Sequence, residues 1–117
     1  MAMSTVKARH LKDEDLVGKS DPYIELWLEK NYKQKTTTKN NTLEPEYNET
    51  FTFHADGHKH LHLRVVDKDL VSDDEIGTGK VDLDKIKDGY FDEWVKLPAM
   101  LGLSSKGEIH LKIETAG

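Results

Sequence analysis

Between Val65 and Gly77 the chain reads VVDKDLVSDDEIG, and five acids, Asp67, Asp69, Asp73, Asp74 and Glu75, fall within nine residues. A second run, LKDEDLVGKSDPY from Leu11 to Tyr23, carries Asp13, Glu14, Asp15 and Asp21. Like charges this close repel, and an unpaired buried carboxylate is costly. One such run reads as a solvated loop; two of the same design ask for a shared task. Each also has an apolar pair at its middle, Leu16 with Val17 and Leu70 with Val71. Clustered carboxylates suit capture of a hard divalent cation. Asp67 and Asp69 are two apart and can point the same way in an extended loop, with Asp15 and Asp21 facing them from the other run. Calcium takes about six to eight oxygens at irregular geometry, whereas magnesium demands a stricter octahedron and keeps its waters, so calcium fits better. An EF-hand does not fit. Counting from Asp13 puts Val17 at the fifth position and Ile24 where the bidentate Glu belongs, and counting from Asp67 puts Ser72 where the Gly belongs.

Competing chemistry is thin. Paired carboxylates also serve acid–base catalysis, yet no nucleophile motif or phosphate-cradling glycine loop accompanies them, and 117 residues are too few to surround a substrate. The absence of cysteine removes disulfides, thiolate catalysis and cysteine-ligated zinc, and agrees with a reducing compartment. The chain is read as non-enzymatic and cytoplasmic. No apolar run approaches a membrane span or a signal-peptide core, so the N-x-T patterns at Asn40 and Asn48 are expected to stay unglycosylated. The net charge of −5 is uneven: residues 11–21 carry −2, residues 67–75 carry −4, and the remainder +1. Such a surface argues against a nucleic-acid partner, which needs a basic footprint. Lys30, Lys33, Lys35 and Lys39 form one basic cluster, read first as a solvated strand face. His58, His60 and His62 alternate and share a strand face, but no further transition-metal ligand accompanies them.

The elements that must position these residues alternate with period two, the pattern of half-buried strands. MSTVKA is a weak first strand. YIELWLE sets Ile24, Leu26 and Leu28 on one face and Tyr23, Glu25, Trp27 and Glu29 on the other. KQKTTTK, polar but rich in β-branched Thr, suits an edge. ETFTFHA, HLHLRVV, IGTGKVDL, EWVKL and GEIHLKIE supply five more strands, and LDKIKDG allows one short helical turn closed by Gly89. The pattern predicts an all-β fold, an eight-stranded antiparallel β-sandwich forming one domain over residues 1–117. Up-and-down connectivity places both acidic loops at one end, after strands one and five, and the TLEPEYNET loop after strand three joins them.

Three stretches, ARHLKDEDLVGKSDPYIEL, KTTTKNNTLEPEYNETFTF and LRVVDKDLVSDDEIGTGKVDL, together resemble the successive signatures of the C2 domain family over nearly the whole chain. The resemblance implies an eight-stranded sandwich that binds calcium between loops at one end, two or three ions of it, and then docks on anionic phospholipid. With GEIHLKIE last, the strand order resembles the permuted (type II) topology. Matched position by position, the implied metal ligands are Asp15 and Asp21 from the first loop, and Asp67, the main-chain carbonyl of Lys68, Asp69 and Asp74 from the third. That third loop is one residue shorter than the common pattern, which leaves Asp73 as the alternative to Asp74. Leu16, Val17, Leu70 and Val71 take the place of membrane-inserting tips.

KQKTTTKNNTLEPEYNE further resembles the lysine-rich strand of conventional protein kinase C, which implies headgroup contacts, phosphoinositide among them, from Lys33 and Lys35. Thr37 replaces a lysine of that pattern and weakens the preference. Thr5, polar where the family prefers an apolar residue, marks the first strand as a weak member. The implied function is calcium-dependent binding to a membrane surface, by a cytoplasmic protein that calcium recruits. The alternatives are a calcium-independent protein-interaction C2 domain and a targeting domain cut from a larger signalling or trafficking protein.

Overall fold

The computed structural model describes residues 2–9, 11, 20–54, 57–86, 88–98 and 106–114. These form eight strands: β1 (Ala2–Arg9), β2 (Pro22–Trp27), β3 (Gln34–Lys35), β4 (Glu46–Thr52), β5 (His60–Asp67), β6 (Asp74–Asp82), β7 (Tyr90–Lys96) and β8 (Glu108–Glu114). They make two four-stranded antiparallel sheets, ordered β4-β1-β8-β7 and β3-β2-β5-β6. The all-β sandwich expected from the alternation is the observed fold. Among the described residues no helix is long and apolar enough to cross a membrane.

The core follows directly from the period-two pattern. Ile24 and Leu26 of β2, Leu61, Leu63 and Val65 of β5, and Ile109, Leu111 and Ile113 of β8 are fully buried between the sheets. Each contributes roughly 1.5–3 kcal/mol by leaving water. Leu97 seals the open side where β6 and β7 meet. It fits because β6 has Gly79 there, whose Cβ would stand 3.3 Å from Leu97 Cδ2 and 3.2 Å from the Lys96 carbonyl.

Four details depart from the sequence reading. β1 is no marginal strand: it lies inside its sheet, paired to β4 and β8 along its length, with a register shift between Thr5 and Lys7. Backbone pairing on both sides stabilises it whatever the apolarity of its residues. β3 is an edge strand as expected but only two residues long, because a side chain interrupts its ladder. The Thr36 N–H donates to the Ile24 carbonyl at 2.9 Å, but the returning Ile24 N–H goes to Thr36 Oγ1, also at 2.9 Å. β4 begins three residues earlier than the aromatic alternation suggests, with Asn48 at φ 52° inside it where its register against β1 shifts. The helical turn after β6 is a 3-10 turn, Leu83–Lys85, which ends at Ile86; the glycine, Gly89 at φ 73°, serves the reversal into β7 instead.

Strand directions bring the β1–β2, β3–β4 and β5–β6 connections to one end, as expected. The β7–β8 connection lies there too, since Arg9 at the end of β1 pairs with Glu108 at the start of β8. Its return is tight. Gly107 has φ 132°, and a Cβ on it would stand 2.6 Å from Leu11 Cδ2, 3.1 Å from Leu11 Cα and 3.2 Å from the Arg9 carbonyl. Leu11 is itself 4% exposed and has little room to yield. Gly107→Ala should therefore cost about 1–3 kcal/mol by overpacking, beyond the backbone strain that it shares with Gly57→Ala. Gly57, at φ 83°, has nothing within 4 Å of its Cβ position among the described residues. Urea denaturation of the two variants checks this; equal losses would show that Gly107 answers only to its φ.

Candidate functional site

The loop end is built on Asp67, the last residue of β5 and 2% exposed. Its Oδ1 accepts the Asp21 N–H at 2.9 Å, and the Lys68 N–H returns a bond to the Asp21 carbonyl at 3.0 Å. The two bonds lock the start of β2 to the end of β5. Asp21 reaches on to the third connection, its Oδ1 accepting the Asn41 N–H at 2.6 Å, while the Thr42 N–H donates to the Ser20 carbonyl at 2.8 Å. Beneath them the buried Tyr47 hydroxyl donates to the Pro22 carbonyl at 2.6 Å. Burial pushes that phenol well above its ordinary pKa and keeps it a neutral donor. Tyr47 thus ties the edge of one sheet to the start of β2 in the other.

Asp67 Oδ2 is buried and has no hydrogen-bond partner among the described residues. That matters more than the number of acids nearby, since a buried carboxylate oxygen without a donor carries its full desolvation penalty. It asks for a cation. The oxygens around it are of the right hardness: Asp21 adjoins it, Lys68 follows it, and Asp74 at the start of β6 is its register partner across the ladder. A bulge helps to set this pairing, because Val65 opposes Gly77 and Val66 opposes Glu75, leaving Ile76 as the extra residue with its side chain in the core.

The other acids of the third loop are partly committed. Asp69 Oδ1 accepts the Leu70 N–H at 2.6 Å, turning toward its own loop. Asp73 accepts the Tyr23 hydroxyl at 2.7 Å and the Asp69 N–H at 3.2 Å. The Asp74 carboxylate, on the first residue of β6, accepts no hydrogen bond among the described residues. Among those residues no three His, Asp or Glu side chains form a metal-holding group; Asp15, Leu16 and Val17 lie outside them. Leu70 and Val71 stand fully out in solvent, with relative exposures of 103% and 94%.

On the outer face of β3-β2-β5-β6, Lys33 Nζ lies 4.4 Å from the Trp27 ring centroid and Lys35 Nζ 5.6 Å from that of Tyr23. Both lysines sit on aromatic platforms, and neither forms an ion pair among the described residues. Arg64, by contrast, is held by Glu25 and Glu75. The three histidines do not converge: His60 and His62 are 6.2 Å apart by ring centroid, while His58 borders a separate cleft with Leu28, Tyr32 and His54. Tyr23 and Tyr47 were not singled out by the sequence reading. Tyr23 had a signal, standing two residues after Asp21; Tyr47 shows its role only through the fold.

The sequence pattern described as C2 domain matches residues 1–97. The chain belongs to the C2 domain family. This C2 domain is 34% identical over 91 residues to an Arabidopsis thaliana protein named calcium-dependent lipid-binding protein, a match covering 76% of this chain and 18% of that one. It shares the fold of the C2A domain of a plant extended synaptotagmin 1, with TM-score 0.84 at 24% identity, over 99% of this chain and 95% of that one. The calcium-bound C2A and C2B domains of extended synaptotagmin 2 give TM-score 0.78 at 28% identity, over 97% of this chain and 44% of that one. The chain spans about a fifth of the length of the curated relatives it matches.

The pair of Tyr23 and Asp73 yields a test of the local electrostatics. The Tyr23 hydroxyl, then the Asp69 N–H, hold the Asp73 carboxyl below its usual range. Burial, then the bond to Asp73, pushes the Tyr23 phenol up to about 12. A carboxyl lowered in the folded state contributes stability that is present above its unfolded pKa and is lost as pH falls through the folded one. Tyr23→Phe should move the Asp73 pKa up toward the ordinary aspartate value of about 3.9. Carboxyl-carbon NMR titration checks this, and an unmoved Asp73 curve would remove Tyr23 as the cause.

Proposed function

We propose that this C2 domain is a calcium-switched, non-catalytic module that docks on anionic phospholipid. The observation that carries the reading is the buried Asp67 carboxylate, whose Oδ2 has no donor among the described residues, beneath a loop that holds Leu70 and Val71 wholly in solvent. Asp21, Asp67, the Lys68 carbonyl, Asp69 and Asp74 would hold the cation, joined by Asp15 from the first loop, with room for two or three ions if the full set engages. Asp69 would give up the Leu70 amide to do so. Bound calcium supplies positive charge against the net −4 of residues 67–75 and free coordination positions for lipid phosphate oxygens.

The apolar tips and the lysines divide the remaining work. Leu70 and Val71, joined by Leu16 and Val17 of the first acidic run, would enter the acyl boundary once the loops are no longer repelled by an anionic leaflet. Lys33 and Lys35, fixed over Trp27 and Tyr23, would meet headgroup phosphates, phosphoinositide included, at about 1 kcal/mol each. The named calcium-dependent lipid-binding relative and the calcium-bound extended synaptotagmin domains support this reading. It makes residues 1–117 a single membrane-targeting domain of a cytoplasmic protein, whether freestanding or within a larger chain.

Two variants test it together. Asp67→Asn with Asp69→Asn should abolish both the rise of melting temperature in millimolar calcium and calcium-dependent sedimentation with phosphatidylserine vesicles. Leu70→Ala with Val71→Ala should leave calorimetric calcium binding in solution nearly unchanged but weaken vesicle binding by about tenfold or more, since each 1.4 kcal/mol is a factor of ten. A parent protein whose melting curve ignores calcium would sink the cation site. A tip variant that sediments like the parent would confine Leu70 and Val71 to packing the loop.

A further inference from the structure

The outer face of β3-β2-β5-β6 carries a second cationic feature on the side of β2 away from β3. Register places Trp27, His62 and Lys80 side by side, since Trp27 pairs with His62 and His62 with Lys80 across β2, β5 and β6. Thr78, two residues before Lys80, shares their cleft, and Lys96 with Pro98, at and beyond the end of β7, also line it. The cleft measures about 480 Å3. Among the described residues its polar side chains are three basic groups and a hydroxyl, without a carboxylate.

The charges facing His62 come from each neighbouring element. From β2, Trp27 stacks on it at 5.5 Å and 15°. From the turn just before β3, Lys33 lies over Trp27. Along β5 stands His60, and from β6 comes Lys80; Arg64, also on β5, is neutralised by its two glutamates. Lys80 borders a neighbouring cleft between β6 and β7 that contains Asp82, Lys85 and Glu93, yet neither carboxylate comes within 4.0 Å of its ammonium. Lys80 and Lys96 are therefore exposed cations without ion-pair partners among the described residues, converging on one concavity that also offers a hydroxyl donor and an aromatic wall.

We propose that this cleft is a phosphate-binding subsite, in which Lys80, Lys96, His62 and the Thr78 hydroxyl receive a phosphomonoester group while Trp27 packs against the ring that bears it. The subsite is distinct from Lys33 and Lys35, from which Trp27 separates it, and it is independent of the calcium loops. His62 lies five residues before Asp67 on β5, so the row stands roughly 17 Å from the loop end at about 3.4 Å per residue. That places it beyond the headgroups of a membrane touched by the loop tips alone. A lipid headgroup would reach it only with the sheet face lying against the bilayer; a soluble phosphate reaches it in any pose. Burial first, then His60 and Lys80, hold the His62 imidazole below its ordinary pKa. An anion beside it reverses that balance, so binding takes up a proton and tightens as pH falls through the His62 titration.

The test uses the whole chain in EDTA, so that its result does not depend on the calcium reading. Titration with inositol 1,4,5-trisphosphate, followed by amide NMR shifts and calorimetry, should perturb residues 62, 78, 80 and 96. Lys80→Ala with Lys96→Ala should weaken it by about tenfold, which is about 1.4 kcal/mol, with an unchanged melting curve. Lys33→Ala with Lys35→Ala should leave these shifts in place. Inositol hexasulfate, whose charge is constant with pH, should bind more tightly at about pH 6 than at about pH 7.5, and His62→Gln should flatten that dependence. Sedimentation in EDTA with vesicles containing phosphatidylinositol 4,5-bisphosphate separates the two sources: loss in the Lys80, Lys96 variant assigns a lipid headgroup, and no sedimentation of the parent assigns a soluble phosphate. Absence of trisphosphate binding at millimolar concentration, or parental affinity in the Lys80, Lys96 variant, would overturn the proposal.

Discussion

The loop end depends on one carboxylate. Asp67 ends β5 directly after the buried Val65 and Val66 and takes the Asp21 N–H, and through Asp21 it reaches the β3–β4 connection. Hydrogen bonds to charged groups contribute more than neutral ones, about 1.5–3 kcal/mol. This one also fixes relative position, because β2 and β5 are adjacent in their sheet and the bond sits where their ladder stops. The same side chain leaves Oδ2 in the interior without a donor among the described residues. One residue is therefore both the clamp of the apo fold and its least comfortable atom.

The outer face of the same sheet shows a different economy of charge. Arg64 and its two glutamates are closed on themselves, while the lysines at 33, 35 and 80, with Lys96 from β7 of the other sheet, are left without acidic partners among the described residues. Aromatic rings organise this arrangement. Trp27 holds Lys33 over its ring and stacks with His62, and Tyr23 lies beneath both Lys35 and Lys68. Rings position cations without neutralising them, since a ring quadrupole carries no net charge. The face remains electropositive even though the chain as a whole is acidic.

Much of this was legible in the residues. Leu61, Leu63 and Val65 alternate because β5 is central, and the Asp21, Asp67 and Asp69 spacing belongs to loops that the period-two strands bring together. Strand edges were harder. KQKTTTK reads as seven residues of strand, but the pairing stops after two because Thr36 Oγ1 intercepts the Ile24 amide, a tertiary event that composition does not encode. Thr5 pointed toward a weak first strand, yet backbone pairing on both sides decides that strand. Lys80 and Lys96 were invisible as a pair for a related reason: they come from different sheets, and only the approach of β7 to the glycines of β6 makes them neighbours.

The central place of β1 has a consequence for how the chain reaches this state. Its two neighbours, β4 and β8, begin at Glu46 and Glu108, so the first strand of this sandwich to be synthesised waits for the last before its ladder is complete. At about 5–20 residues per second that wait is roughly 5–20 s. The β2-β5-β6 group needs no such delay, because its strands lie within residues 22–82 and pair across one long and one short connection. Nascent chains would then carry a formed second sheet, loop clamp included, beside an unpaired β1 with open backbone edges. Pairings so distant in sequence slow folding and leave strand edges available to other chains. Crowded synthesis, more than any weakness of the finished sandwich, is where this protein would meet aggregation.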